Sequence, residues 1–307
     1  MKTIVIAYDG SECSEAIFTE LQRAGLPGQL DAHAVAVAEL WAAPVPDPAA
    51  WVPMPTMLPA VDSTEAEKVE AMRRAGALAE QGAARLQAAF PAWGVVPAGQ
   101  VGAVAQSIVQ RAREVSADMI FIGSHSRSAV GRFFLGSVSQ KVAAEAKCSV
   151  RICRPRPSTG AALRLLVAVD GSRTSQAAVQ TVTERVWPAG TVVAVVTVIE
   201  PSLRPGVADL PPEFAAEILR QHEARLDWLE TVGTAAQRKL EIPGLVPERH
   251  TLEGEPKHTL LEWAERWNAD CIFVGASGLQ HPDTATLGTV ASALAVRAHC
   301  SVEIVRP

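Results

Sequence analysis

Ile4-Val5-Ile6-Ala7-Tyr8-Asp9-Gly10-Ser11 opens the chain, and Leu165-Leu166-Val167-Ala168-Val169-Asp170-Gly171-Ser172 repeats it in mid-sequence. A short apolar run into Asp-Gly-Ser describes a strand covered on both faces, then a turn, then a helix cap. Two further stretches return in the same order. Ala117-Asp118-Met119-Ile120-Phe121-Ile122-Gly123 recurs as Ala269-Asp270-Cys271-Ile272-Phe273-Val274-Gly275, and Cys148 to Pro155 recurs as Cys300 to Pro307. The offset is 161 for the first pair and 152 for the other two, so the copies differ by a few loop residues. Each copy is domain-sized and far too long for a solenoid repeat.

Working outward, each copy alternates strands with helices. In the first, Ile4–Ala7, His33–Glu39, Met119–Ile122 and Val150–Cys153 read as strands. Ala16, Ile17 and Leu21 give one helical stripe, Ile108, Val109 and Ala112 another, and Ser137–Ala146 a third helix. Thr64-x-x-Glu67 is a capping box opening a long helix striped by Val69, Met72, Gly76, Ala79, Ala83, Leu86 and Phe90. The second copy matches that stripe from Leu219 to Leu240, and these stripes read as core. Such alternation predicts two tandem doubly wound α/β domains, each a parallel sheet with helices on both faces. The first domain is expected over residues 1–155 and the second over 163–307, with 156–162 as linker and Arg154 opening the Pro-rich joint. Val150–Cys153 and Val302–Val305 close the copies as alternating strands and should pair the two domains about a pseudo-two-fold axis.

Composition narrows the class. The chain has 307 residues, 48% of them hydrophobic, but no apolar run reaches the roughly 20 residues of a membrane span. The opening apolar run is too short for a signal peptide and recurs in mid-chain, so it is a strand. A net charge of −5 argues against a nucleic-acid surface. The five cysteines (13, 148, 153, 271, 300) include no CxxC pair, and four lie in or beside apolar strands, which suits buried thiols and a cytoplasmic setting. The histidines show no metal-ligand spacing, so no metal site is expected; His222 reads as a core or groove residue of the long stripe.

In a sheet of this kind the ligand belongs at the carboxyl ends of the strands, near the switch in strand order. Asp9-Gly10-Ser11 lies there. So does the loop from Gly123 to Ser137, whose glycines let backbone N–H groups approach an anion and whose Gly136-Ser137 opens a helix. His125, Arg127 and Arg132 give that loop cationic character, although both arginines are equally compatible with plain solvation of a loop. The second-copy loop, Gly275-Ala276-Ser277-Gly278 followed by Gly288-Thr289, has no Lys or Arg between residues 279 and 287 and carries Asp283. No Walker A sequence or dinucleotide fingerprint occurs.

These three motifs together resemble the universal stress protein family in its tandem form, over essentially the whole chain. The resemblance implies a five-stranded parallel domain per copy and, in one group of members, bound ATP, with or without Mg. It implies that Asp9 and Asp170 lie beside the nucleoside and that Val37 and Val198 line the adenine pocket. It also implies that Gly123, His125, Ser126, Gly136, Ser137 and Val138 wrap the phosphates, matched by Gly275, Ser277, Gly278, Gly288, Thr289 and Val290. Ser126 replaces a loop glycine, and if that position needed a positive φ it would cost roughly 1–2 kcal/mol. With a repelling carboxylate and no cation in the second loop, the first site ranks above the second.

Three functional classes follow. One is an ATP-binding stress or signalling protein. Another is a scaffold with degenerate sites. The third, an enzyme, lacks its motifs: there is no D-x-D, no G-x-S-x-G elbow and no converging base, so any ATP hydrolysis is expected to be slow and incidental. Homodimer formation is left open. The segment from Trp41 to Pro59 reads as a stiff loop, either covering the adenine side of the first site or packing on a neighbour.

Overall fold

Residues 2–39, 64–124, 135–155, 162–200, 211–279 and 287–307 are described by the computed structural model. The linker 156–161, the Pro-rich loop 40–63 and the loop residues 125–134 and 280–286 lie outside them. The first copy runs β1 (Thr3–Ala7), α1 (Glu12–Arg23), β2 (Asp31–Ala38), α2 (Glu65–Ala89), β3 (Gly94–Val101), α3 (Val104–Glu114), β4 (Met119–Gly123), α4 (Ser137–Glu145) and β5 (Ser149–Cys153). The second repeats the order as β6 (Arg164–Ala168), α5 (Arg173–Thr183), β7 (Thr191–Ile199), α6 (Pro212–Lys239), β8 (Leu245–Glu253), α7 (Pro256–Arg266), β9 (Cys271–Gly275), α8 (Thr289–Arg297) and β10 (Ser301–Val305). No helix among the described residues is long and apolar enough to cross a membrane.

All strands join one sheet in the order β3-β2-β1-β4-β5-β10-β9-β6-β7-β8. Within each copy the pairing is parallel; only β5 and β10 run antiparallel, so the joined sheet is mixed. The Ala-Asp-apolar motif has a local cause. Asp118 accepts the Thr3 amide at 2.7 Å and Asp270 accepts the Arg164 amide at 2.8 Å, fixing where each first strand starts.

Four sequence expectations need correction. The closing strands pair the copies as predicted, with Arg151 opposite Glu303, but they are the buried centre of the sheet rather than its edges. The edges are β3 and β8, which the apolar patterns did not disclose because each carries a proline, tolerated where one side of a strand is unpaired. Arg154 is not a linker residue. Its amide donates to Ser301 Oγ at 3.1 Å, and its guanidinium donates to the carbonyls of Ala295 at 2.5 Å and Cys300 at 3.1 Å, closing the end of α8. Arg306 does the same for α4, donating to Ala143 at 2.6 Å and Cys148 at 3.4 Å.

The fourth correction concerns the long helices. On α2 the buried line is Ala71, Ala75, Ala79, Gly82, Ala83 and Leu86, whereas Val69 and Met72 are exposed. A 25-residue helix spans about 37 Å and the eight-residue β2 only about 26 Å, so the first turns of α2 outrun the sheet. Leu219 is exposed near the start of α6 for the same reason. Where α2 does meet the sheet it does so closely. A Cβ on Gly99 of β3 would stand 2.5 Å from the Gly76 nitrogen. Gly99→Ala should therefore cost about 1–3 kcal/mol in urea unfolding, whereas Gly28→Ala, with nothing within 4 Å of the added methyl, should stay within about 0.5 kcal/mol. Equal midpoints for the two variants would refute the close-approach argument.

The core divides by sheet face. On the side of α3, α4, α7 and α8 one cluster runs through both copies, including Val150, Ile152, Val302 and Ile304. On the other side the α1–α2 and α5–α6 clusters are separate. All five cysteines are free, and burial pushes the thiols of Cys148, Cys153 and Cys271 above the usual range.

Candidate functional site

The strand order reverses between β1 and β4 in the first copy and between β6 and β9 in the second. In a parallel sheet that reversal opens a crevice, because the connections from the two central strands leave in opposite directions. In the first copy the crevice is a cavity of about 290 Å³. Asp9, Val37, Gly123, Gly136, Ser137 and Val138 all line it, joined by Tyr8, Val35, Glu39, Val104 and Ser139. Six residues predicted from motifs far apart in sequence thus meet at one place. His125, Ser126, Arg127 and Arg132 lie outside the described residues.

Each wall has a local reason. Gly10 sits at φ 70°, where glycine avoids the Cβ penalty, and this lets Asp9 Oδ1 accept the Ser11 amide at 2.9 Å. Ser11 then caps α1, its hydroxyl accepting the Ser14 amide at 3.2 Å. Gly136 is held differently. Its amide donates to the Ser124 carbonyl at 2.8 Å, and no side chain caps α4, whose first turn carries no acid. α3 also begins at the cavity, uncapped and without an acid in its first turn. The first amides of a helix have no partner within it, so two helix starts present donors and a favourable field for an anion here. Two carboxylates, Asp9 and Glu39, line the same cavity, and the register sets Ala38 opposite Val101, so Glu39 follows near the start of α3.

Two lining residues prove to have structural duties. A Cβ on Gly123 would stand 2.9 Å from the Cys13 carbonyl carbon, so glycine is needed there to let α1 lie against the end of β4. Tyr8 packs into the α1–α2 core, and its hydroxyl donates to Glu15 at 2.7 Å. Burial, reinforced by that carboxylate, pushes its hydroxyl up to about 12.

The second copy builds the same turn. Gly171 has φ 82°, Asp170 Oδ1 accepts the Ser172 amide at 2.9 Å, and Gly288 donates to the Ala276 carbonyl at 2.7 Å. Val198 and Val290 pack partly buried against the shared core, and Thr289 starts the uncapped α8. Gly275 is again a packing glycine, with an added Cβ 2.7 Å from the Ser175 nitrogen. The described start of its loop packs on the turn. Thr174, which stands where the first copy has Cys13, donates to the Ser277 carbonyl, and a Cβ on Gly278 would be 3.1 Å from Asp170 Oδ2. Gly278 is the counterpart of Ser126, and its φ lies outside the left-handed range, so the second copy shows no positive-φ demand at that position. Asp283 lies outside the described residues.

The model of the family described as "Universal stress protein family" matches residues 1–154 and again 162–306. A Thermus aquaticus protein, "Universal stress protein in QAH/OAS sulfhydrylase 3'region", is 35% identical over 156 residues, covering 50% of this chain and 98% of the relative. "Universal stress protein YxiE" of Bacillus subtilis (strain 168) is 26% identical over 148 residues, covering 47% and 98%. The crystal structure of a universal stress protein from Archaeoglobus fulgidus DSM 4304 superposes with a TM-score of 0.64 at 20% identity, over 99% of this chain and 98% of that one, which shows the shared fold. Matched by its family along both copies, the chain belongs to the universal stress protein family.

Proposed function

We propose that the chain binds ATP or a related adenine nucleotide in its first-copy cavity and acts as a nucleotide-dependent stress-response or signalling protein. One observation carries this reading: two uncapped, acid-free helix starts face the same cavity as the Asp9 carboxylate and the apolar Val37. A nucleotide has matching parts, with phosphates for the helix amides, a sugar hydroxyl for Asp9 and a flat base for Val37. Mg, if it accompanies the nucleotide, would act on the phosphates. In this reading the cavity binds rather than catalyses, and the Ser139 hydroxyl that lines it already donates to the Gly123 carbonyl at 2.6 Å.

In the second copy the degenerate-site reading is favoured because the Ser277 carbonyl is already taken by Thr174 and Gly278 lies close beside Asp170. Titration with ATP tests both statements. Asp9→Ala should weaken binding roughly 10- to 150-fold, the effect of losing a hydrogen bond to a charged group. Asp170→Ala should change it far less. A chain that carries no nucleotide by mass spectrometry after purification and gives no heat with ATP would leave the scaffold reading in place.

A further inference from the structure

The seam between the copies is apolar on one face and ionic on the other. Side chains alternate along a strand, so Val150 and Ile152 enter the shared core while Arg151 turns to the opposite side. There Arg151 and Glu303 are 1% and 0% exposed. Arg151 donates to Glu20 of α1 at 2.7 Å and to Glu303 at 3.1 Å. Arg185, just after α5, donates to Glu303 at 2.9 Å and to the Ala24 carbonyl at 3.1 Å. The order Glu20, Arg151, Glu303, Arg185 therefore alternates in sign across the seam.

The register makes this order selective. Val150 faces Ile304 and Ile152 faces Val302, so the pseudo-two-fold axis passes through the Arg151–Glu303 pair and equivalent strand positions meet. Two first copies joined in this way would set Arg151 against Arg151. Two second copies would set Glu303 against Glu303. Both contacts would be buried, where like charges interact far more strongly than in water. Arg23 at the end of α1 pairs with Asp270 at 2.9 Å, while its counterpart Glu184 lies 4.0 Å from Lys2, so this outer contact does not separate like from unlike pairing and the selectivity rests on the central pair.

We propose that this charge order is a selectivity device: the β5 face accepts the β10 face and rejects another copy of itself. Buried polar groups are known to fix pairing in this way at some cost in stability, and rejection of the wrong partner is half of specificity. The closing strands then join first copy to second only, within one chain or by reciprocal exchange between two. Any assembly of like halves must use another surface.

Full-length variants test this. Arg185→Glu with Glu303→Arg gives the second copy the charge order of the first. Each in-copy pair keeps opposite signs, and the central contact alone becomes like-charged. Adding Glu20→Arg and Arg151→Glu restores opposite signs throughout, while the lost bond to Ala24 is common to both variants. Hydrogen exchange at residues 150–152 and 302–304, read by mass spectrometry, follows the seam. Protection should fall on the order of 100-fold in the half-reversed chain and recover to within about tenfold of the original in the fully reversed one. Unchanged protection in the half-reversed chain, or no recovery on full reversal, would overturn the proposal.

Discussion

Gly136→Val is expected to eliminate ATP binding. Gly136 is the N-cap of α4 at φ −63° and ψ 150°, a conformation valine adopts without strain. Its amide bond to the Ser124 carbonyl survives the change, and the helix loses no side-chain cap because it has none. What changes is space. Gly136 lines a cavity of only about 290 Å³, and a branched side chain there would stand between the helix amides and any phosphate. Calorimetric titration should show no heat at ATP concentrations about 100-fold above the unmodified chain's dissociation constant, with an unchanged circular dichroism spectrum. Gly288→Val, in the second copy, should matter less. Loss of binding in that variant alone would reverse the ranking of the two copies. Gly123→Val is not an equivalent test, because its Cβ collides with the α1 backbone and the fold itself would suffer.

That contrast shows what the sequence could and could not disclose. Asp-Gly-Ser after an apolar run needs only local chemistry, a turn and a cap, and both copies adopt it with the expected bonds. The site was legible for a related reason: its residues end strands or start helices, and a parallel sheet brings those positions together. Gly123 and Gly275 were legible as invitations to a ligand, yet their glycine requirement comes from α1 and α5 packing against strand ends, a contact between elements that no local pattern records. The edge strands were hidden because their prolines contradict the pattern of a central strand. Val69 and Met72 have the spacing of a core stripe, and only the length of α2 relative to the sheet shows that they overhang. The pairing of the closing strands was legible, but the ionic face of their seam was the least legible feature. Glu20 lies on an ordinary amphipathic helix and Arg185 in a loop, and nothing in either neighbourhood marks them as buried.

Those buried charges carry the largest expected effect on stability. Glu303 accepts from Arg151 and from Arg185 and is fully buried. Glu303→Ala would leave two guanidinium groups facing each other without the carboxylate between them. Arg151 would keep Glu20, but Arg185 would retain no carboxylate, only the Ala24 carbonyl, a long contact to Met119 sulfur and its position over the Phe273 and Trp187 rings. Removing one partner of a buried ion pair costs about 3–5 kcal/mol, because the remaining charge stays desolvated and unpaired. The exposed pairs of this chain set the scale on the other side. Arg73 with Glu70 and Arg220 with Glu217 sit on helix surfaces, where solvent and salt screen them and leave each worth little. In denaturant unfolding, Glu303→Ala should therefore shift stability several times more than Glu70→Ala or Glu217→Ala. A loss below about 1 kcal/mol would mean that Arg151 and Arg185 find other acceptors or reach water. The seam would then be held by its apolar face and the reciprocal caps of Arg154 and Arg306, with the ionic face setting which strands meet rather than how firmly they hold.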